Sequence, residues 1–339
     1  MLTEHNNRLL LNPTESRKNI DAPTYIPYRQ EKTRVQLDVI FKTRVVPERF
    51  ENKSSLVGTV EKGCYHRVSH NSTCNHSKMT FGIFIPSSYV NDPNLNYPVL
   101  LFLGGLTFDD ANFASKAGQR TFEAAERQGV AIVIPDTSRS RGPEDVHDDA
   151  GVYHHIVGVD ASLYNNATAQ PYNVHYQMYE YIMKELPAIL ENNFNIGKNG
   201  LKSICGHNMG EHVALTTIAL REGIRSWKSV SVLASICNST QCGWGQMAFD
   251  KYFIFPEEDK MHDEACFLLA SLDCSFYDEM LIDQGSADLF MQDQLKPFAT
   301  IAAAEECSQK GSYFFVAKFI EDHVRFHAKR LKNSKYPMG

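Results

Sequence analysis

The residues of this chain that most clearly indicate a chemical function lie in a short apolar strand and the glycine-flanked turn that follows it. The strand covers Leu201 to Cys205, the turn reads Gly206-His207-Asn208-Met209-Gly210, and a helical pattern follows from Glu211 to Arg221. A strand, a Gly-x-Ser-x-Gly turn and a helix together present a serine hydroxyl as a nucleophile. The central residue here is Asn208, whose carboxamide has no proton that a base can remove to give an attacking oxygen. The sequence therefore predicts the scaffold of a nucleophile without the nucleophile itself.

The same five residues also fit an ordinary strand-to-helix turn, because asparagine tolerates a positive φ better than most residues. The position of the turn, after a buried strand and before a helix, favours the hydrolytic interpretation. Glycines on both sides are expected there, since a Cβ would collide with the neighbouring strand or helix.

A glycine-rich segment after another strand has the placement of an oxyanion loop. It reads Leu103-Gly104-Gly105-Leu106-Thr107. In such sites one backbone N–H comes from this loop and one from the residue after the nucleophile. The corresponding donors are Leu106 and Met209. A simple turn out of a buried strand is the alternative.

Asp288 lies just beyond the C-terminal end of a predicted strand, in the segment Asp283 to Phe290. Acids at this place orient a catalytic histidine in hydrolytic sites. A cap for the helix that follows explains Asp288 equally well.

Length and charge exclude several classes of protein. The chain has 339 residues and a formal net charge of -6, which argues against a nucleic-acid or anionic-membrane partner. No apolar stretch approaches the roughly 20 residues of a membrane span, and the first 20 residues lack a signal-peptide core. Eight cysteines without Cys-x-x-Cys spacing indicate reduced thiols in a cytoplasmic protein, with neither disulfides nor a zinc site.

Buried strands alternate with amphipathic helices over most of the chain, which predicts an α/β fold with a mostly parallel sheet covered on both faces. Residues 1–52 are expected to form a polar, extended or poorly ordered N-terminal arm, in which the alternating residues 35–40 could be a strand. Residues 53–332 are expected to form the folded domain, and 333–339 a tail. Strands are predicted at 79–86, 99–103, 130–134, 201–205, 230–234 and 280–283. Helices are predicted at 111–128, 173–193, 211–221, 293–308 and 312–332.

From about Lys53 to Leu331 the chain resembles the S-formylglutathione hydrolase (esterase D) family of α/β-hydrolases. The resemblance rests on ordered, family-specific words: Leu-x-Gly-Leu-Thr before Asn112-Phe113, Ile134-Pro135-Asp136-Thr137-Ser138, Gly206-His207-x-Met209-Gly210, Ile236-Cys237-Asn238 before Cys242-x-Trp244-Gly245, Leu281-Ile282-Asp283-Gln284-Gly285, and Asp322-His323-Val324-Arg325-x-His327-Ala328-Lys329. Members are homodimeric, cytosolic thioesterases that hydrolyse S-formylglutathione to formate and glutathione. They also cleave small activated esters, and they need no metal or nucleotide cofactor.

The resemblance implies that two members of the catalytic triad are absent. The nucleophilic serine of the family falls on Asn208 and its histidine falls on Gly311, so that only the acid, Asp288, is retained. The strand before that histidine is expected to be missing, because residues 305–310 are short and polar. Its loss is expected to leave the strand near 280–283 with an exposed edge and marginal stability.

Three other positions bear on activity. Phe108 stands where the family usually has cysteine, and Glu211 where it usually has glycine. A carboxylate at Glu211 would oppose an anion forming at the Met209 N–H. Among possible substitute bases, His323 is predicted to be a packed residue of the last helix.

Three functional interpretations follow. The chain is a pseudoenzyme that retains a glutathione-thioester pocket or pairs with an active subunit. Alternatively, it is a working thioesterase or carboxylesterase whose sequence lacks an exon, which leaves Asn208 unexplained. The third interpretation is a non-catalytic dimerisation or ligand-binding module.

Overall fold

The computed structural model describes residues 38–44, 63–91, 95–105, 108–137, 164–214, 226–234, 236, 239–255, 281–285, 288, 305–307 and 313–332. All of these residues belong to one compact unit. Among the sequence predictions, those for Leu106, Gly311, residues 1–37 and 45–52 of the arm, residues 215–221 and 293–304 of two helices, and the tail at 333–339 fall outside the described residues.

One sheet organises the described part of the chain, with nine strands in the order β1-β2-β3-β5-β4-β6-β7-β8-β9. The strands from β5 to β9 run parallel, while β1, β2 and β3 join this half through antiparallel pairs. A mostly parallel sheet is confirmed. The bounds are β1 Asp38–Arg44, β2 Cys64–Asn71, β3 Lys78–Ile85, β4 Val99–Leu103, β5 Ala131–Pro135, β6 Lys202–His207, β7 Val230–Leu233, β8 Leu281–Gly285 and β9 Glu305–Cys307.

The first strand lies inside the segment that was predicted to be a poorly ordered arm. β1 pairs antiparallel with β2 along its length, with an irregularity between Val39 and Phe41. The strand that the alternating residues 35–40 allow therefore begins at Asp38 and continues to Arg44. The sequence indicated no partner for it, because β2 is polar and was not recognised as a strand.

The final strand, predicted to be missing, is present in a short form. β9 pairs parallel with β8, with Asp283 opposite Glu305 and Gly285 opposite Cys307. Ladder hydrogen bonds come from the backbone, so a polar sequence does not prevent them. Residues 283–285 of β8 are therefore paired and do not form an exposed edge. Residues 305–307 form a strand and are not the end of the helix predicted for 293–308.

Helices cover both faces of the sheet. Their bounds are α1 Ser87–Asn91, α2 Asp110–Lys116, α3 Gly118–Gln128, α4 residues 178–194, α5 Met209–Val213, α6 Gly243–Tyr252 and α7 Tyr313–Lys332. The helix predicted at 111–128 is interrupted at Ala117, which ends α2 and precedes α3. None of the described helices is both long and apolar enough to cross a membrane.

Two apolar clusters form the core, one on each face of the sheet. One cluster joins β strands to α4, α5 and α6, with Trp227, Tyr181 and Phe249 fully buried. The other joins the sheet to α2, α3 and α7 through residues such as Phe122 and Ile320. Burial of this kind is the main favourable term in folding, and it fixes the ends of β4 and β6, where the candidate site lies.

Candidate active site

The turn between β6 and α5 has the backbone of a nucleophile elbow. Asn208 sits between the two elements with φ 53° and ψ -112°, a conformation that L-residues rarely adopt. Its N–H donates to the Leu233 carbonyl at 3.0 Å, and its own carbonyl accepts from the Glu211 N–H at 3.2 Å. Asn208 is half-buried. The structure therefore presents a carboxamide at the place where the sequence predicts a nucleophile position.

Two glycines set the shape of this turn. A Cβ on Gly206 would lie 2.4 Å from the Glu211 Cα, and a Cβ on Gly210 would lie 2.4 Å from the Leu103 carbonyl oxygen. Both contacts are with backbone atoms, which cannot rotate away. The expected need for glycine on each side of the crest is thus confirmed, and α5 packs directly against the end of β4.

The glycine-rich loop after β4 approaches the crest closely. A Cβ on Gly105 would lie 2.9 Å from the Asn208 Cβ and 3.0 Å from the His207 Nδ1. The Tyr164 hydroxyl donates to the Gly104 carbonyl at 2.9 Å, and the Phe108 N–H donates to the Gly105 carbonyl at 3.2 Å. The loop is thus held beside residue 208, as an oxyanion loop would be.

Phe108 follows this loop and contacts the residue before Asn208. Its ring meets the His207 ring edge-on with centroids 6.0 Å apart, and the Lys116 ammonium lies 5.0 Å from the Phe108 centroid. The Thr137 hydroxyl donates to the Phe108 carbonyl at 3.3 Å. A phenyl ring therefore occupies the place where the related family usually has a cysteine.

A buried charge cluster anchors the start of α2, next to the loop, and sequence reasoning did not identify it. The Arg67 Nε donates to both Asp110 carboxylate oxygens at 3.1 and 3.0 Å, and the Tyr65 hydroxyl donates to one of them at 3.0 Å. Asp136 faces the same guanidinium at 3.5 Å. These residues come from β2, the start of α2 and the end of β5, which only the folded sheet brings together, so the sequence carried no local signal for them.

The pKa of Asp110 is raised to about 6, chiefly by burial, with repulsion from Asp136 adding to the rise and Arg67 opposing it. The unfolded pKa is about 3.9, so the folded state holds this proton more tightly. The protonated Asp110 therefore adds to the unfolding free energy. This contribution is complete below about pH 3.9 and is lost as the pH rises through about 6.

We expect Asp110→Asn to remove this dependence. Between those pH values the wild type should lose about 2–3 kcal/mol of unfolding free energy more than the variant does. Urea unfolding measured across this range tests the prediction. Asp322→Asn, at an exposed position of α7, is the control and should follow the wild type. If the unfolding free energy of wild type and of Asp110→Asn changed equally with pH, Asp110 would not be the source of the dependence.

Asp288 follows the C-terminal end of β8 by three residues and is partly buried. β8 neighbours β7, and β7 neighbours β6, so Asp288 comes from the same carboxyl edge of the parallel strands as Asn208. This is the edge at which ligands of parallel sheets bind. Its role as the retained acid stays a prediction, as do the positions of Leu106 and Gly311.

Two histidines close to the elbow are neutral at physiological pH. Burial lowers the pKa of His207 to about 4 and that of His212 to about 4. The His212 Nδ1 lies 2.8 Å from the Ser239 hydroxyl. His207 belongs to the elbow itself and His212 to α5, whereas the sequence assigns the triad histidine to position 311.

His323 lies in a buried polar network between the sheet and α7. Its Nε2 is 3.0 Å from an Asp283 carboxylate oxygen, and its Nδ1 is 2.7 Å from the Ser231 hydroxyl. His327 bridges Ser231 and Ser229 at 2.6 and 2.7 Å. The prediction that His323 packs inside the protein agrees with its complete burial.

Glu211 is completely buried in the first turn of α5. Its Cα and N approach Gly206, and it follows Met209 by two residues. An ionised carboxylate in an apolar environment acts over a longer range than in water. If ionised, Glu211 would oppose an oxyanion at the Met209 N–H.

No group of three or more histidine, cysteine, aspartate or glutamate side chains in the described segments is arranged to hold a metal ion.

Comparison with known proteins places this site in a family. The esterase family model matches residues 72–326. The chain is 36% identical to the S-formylglutathione hydrolase of Mus musculus over 279 residues, which is 77% of this chain and 92% of the mouse protein.

Solved structures have the same architecture. An S-formylglutathione hydrolase from Agrobacterium tumefaciens superposes with a TM-score of 0.71 at 33% identity, covering 81% of this chain and 98% of the bacterial one. The fluorophosphonate-binding serine hydrolase F of Staphylococcus aureus gives a TM-score of 0.59 at 17% identity, over 79% of this chain and 99% of its own, and shows the fold alone.

Proposed function

This chain belongs to the S-formylglutathione hydrolase family of α/β-hydrolases, and we propose that it is a non-hydrolytic member that still binds a glutathione thioester or a related small ester. The main support for the proposal is the combination of backbone and side chain at Asn208, the crest of the elbow. Asn208 keeps a strained backbone at φ 53° and ψ -112°, although its side chain cannot supply an oxygen nucleophile.

Binding is supported by the parts of the site that do not depend on a serine. The loop at Gly104 and Gly105 packs against the crest, with Tyr164 and Phe108 holding it in place. The N–H of Met209, the first residue of α5, has no acceptor within that helix. A carbonyl group placed over residue 208 can accept from such donors without being attacked.

Loss of hydrolysis is supported by the surroundings of the crest. The triad histidine of the family corresponds to Gly311, and the buried His207 is a neutral ring inside the elbow. An ionised Glu211, which is completely buried two residues after Met209, would oppose a developing oxyanion. The same resemblance leads us to propose a homodimer in the cytoplasm that needs no cofactor.

The alternative of a working thioesterase that lacks an exon loses part of its basis. It was motivated by a missing final strand, whereas β9 pairs with β8 at Glu305–Cys307. It also leaves Asn208 unexplained. We therefore prefer the non-hydrolytic interpretation.

Thermal unfolding with S-formylglutathione, followed by measurement of released thiol, tests this proposal. At a concentration about 100-fold above the dissociation constant, the ligand should stabilise the chain by about 2.7 kcal/mol and remain intact. Glutathione and formate, added separately, are the control ligands. Release of thiol at the rate of the mouse relative would establish an enzyme, and a complete lack of stabilisation would favour a module without this ligand.

A further inference from the structure

We propose that Asn208 is a self-modifying residue: its side-chain Cγ is attacked by the backbone nitrogen of Met209, and the resulting succinimide is opened by water to an acidic residue. This inference concerns the chemistry of the chain itself. It does not depend on whether the site binds or hydrolyses a ligand.

The backbone angle of Asn208 is the observation on which the inference rests. A succinimide ring contains the Met209 nitrogen and the C, Cα, Cβ and Cγ atoms of Asn208. A nearly planar ring requires that nitrogen and Cβ to be eclipsed around the Cα–C bond. In an L-residue, Cβ and the residue's own nitrogen are about 120° apart around this bond, so ψ -112° leaves Cβ and the Met209 nitrogen within about 10° of eclipsed.

Ordinary backbone conformations keep these atoms apart. A helical ψ near -42° separates them by about 80°, and an antiparallel strand with ψ near +135° separates them by about 105°. Asparagine in regular structure must therefore leave its conformation before it can form the ring. Asn208 already has the required angle, because the elbow imposes it.

Neighbouring contacts hold this angle. The hydrogen bonds from the Asn208 N–H to Leu233 and from the Glu211 N–H to the Asn208 carbonyl fix the crest on both sides. The start of α5 also packs closely at Gly206 and Gly210, where an added Cβ would lie 2.4 Å from backbone atoms. Reacting groups held in place gain a large rate advantage over flexible ones, so the fold lowers the barrier for this reaction.

The atoms balance without any reagent except water. The Met209 N–H gives its proton to a base in solution, its nitrogen forms a bond to Cγ, and the Cγ–Nδ2 bond breaks with release of ammonia. The protonated base returns its proton to the leaving ammonia. Water then adds to one of the two ring carbonyls, the bond between that carbonyl carbon and the ring nitrogen breaks, and the nitrogen takes a proton from the added water. The net change is asparagine and water to an acidic residue and ammonia, which makes the formal net charge of -6 one unit more negative.

The turn also selects the product. Opening at the main-chain carbonyl would insert an extra methylene into the backbone, giving isoaspartate. This lengthening would shift the start of α5, which packs within a Cβ's width of the backbone of Leu103 at Gly210. Opening at Cγ restores the original backbone, so we expect aspartate as the main product in the folded protein.

Asn199 supplies an internal control. It precedes Gly200, whose N–H is unhindered, and this dipeptide is the more reactive of the two in a flexible chain. In the structure Asn199 has φ 56° and ψ 35°, which places the Gly200 nitrogen roughly 155° from Cβ. The local sequence and the folded geometry therefore make opposite predictions for the two sites.

Peptide mass spectrometry of the purified full-length chain decides between them. Samples are incubated at mildly alkaline pH, folded or in urea, and amide, succinimide and acid are quantified at both residues. In the folded protein Asn208 should convert at least about tenfold faster than Asn199, and in urea the order should reverse. An intact Asn208 beside a converted Asn199 in the folded state would overturn the proposal, as would equal Asn208 rates in both states.

Asn208→Gln distinguishes the succinimide route from direct hydrolysis of the side-chain amide by base-activated water. The longer side chain keeps a carboxamide but requires a six-membered ring, so residue 208 should stay unmodified while Asn199 reacts as before. Conversion of the glutamine at the wild-type rate would contradict the succinimide route. If this variant does not fold, the comparison of Asn208 with Asn199 in the wild type still decides the question.

Discussion

Freshly purified protein should remain unlabelled by a fluorophosphonate probe, and it should hydrolyse S-formylglutathione about 10⁶-fold more slowly than the mouse relative does. Loss of the serine or histidine of a hydrolytic triad costs on the order of this factor, and loss of both adds little more. Backbone donors alone can leave roughly 10³-fold acceleration over water. Asn208 and Gly311 account for the two losses.

Asn208→Ser makes this prediction sharper. A hydroxyl at the crest without a base should remain within about tenfold of the wild-type turnover, since the two losses act as one unit. The mouse S-formylglutathione hydrolase, assayed in parallel, is the positive control. Rapid labelling of the serine variant would reveal a base that neither the sequence nor the described residues identify, and labelling of the wild type would refute the loss of the nucleophile.

Gly210→Ala should cost about 3 kcal/mol or more of unfolding free energy, or prevent folding, at the upper end of what overpacking does. The added methyl would lie 2.4 Å from the Leu103 carbonyl oxygen, 2.6 Å from the Leu103 carbonyl carbon and 2.7 Å from the Gly104 carbonyl oxygen. Relief of these contacts requires α5 to move away from β4. The crest would then lose its backbone conformation as well.

Gly243→Ala is the matched control, because Gly243 is exposed at the start of α6. Its unfolding free energy should stay within about 0.5 kcal/mol of the wild type. Urea unfolding followed by circular dichroism measures both variants. A Gly210→Ala protein as stable as the Gly243→Ala protein would show that the elbow is looser than its contacts indicate.

Much of the central sheet could be predicted, because its strands are continuous apolar runs that are buried on both faces. β4, β5, β6 and β7 were found in this way. β2, with the sequence Cys-Tyr-His-Arg-Val-Ser-His-Asn, was not predicted, since its half-exposed positions carry polar residues that hide the strand pattern. The alternating residues 35–40 allowed a strand, but without β2 the sequence showed no partner for it.

The candidate site was predictable where one short segment specifies it. The glycines around Asn208 indicate the elbow directly, and the segment after β4 indicates the loop beside it. Tyr164, Arg67 and Asp110 were not predictable, because their contacts join segments 43 to 60 residues apart. β9 was missed because three backbone pairings need no apolar sequence.

The bend after β6 owes its form to Gly206 and Gly210, with residue 208 contributing no side-chain bond to α5 that the structure describes. Different side chains can therefore occupy position 208 while the backbone of the turn stays the same. Codons for asparagine and serine differ by a single base. Evolution can therefore exchange residue 208 in one step, while recovery of hydrolysis also needs a base. A protein engineer can place cysteine or aspartate at position 208 without redesigning the turn.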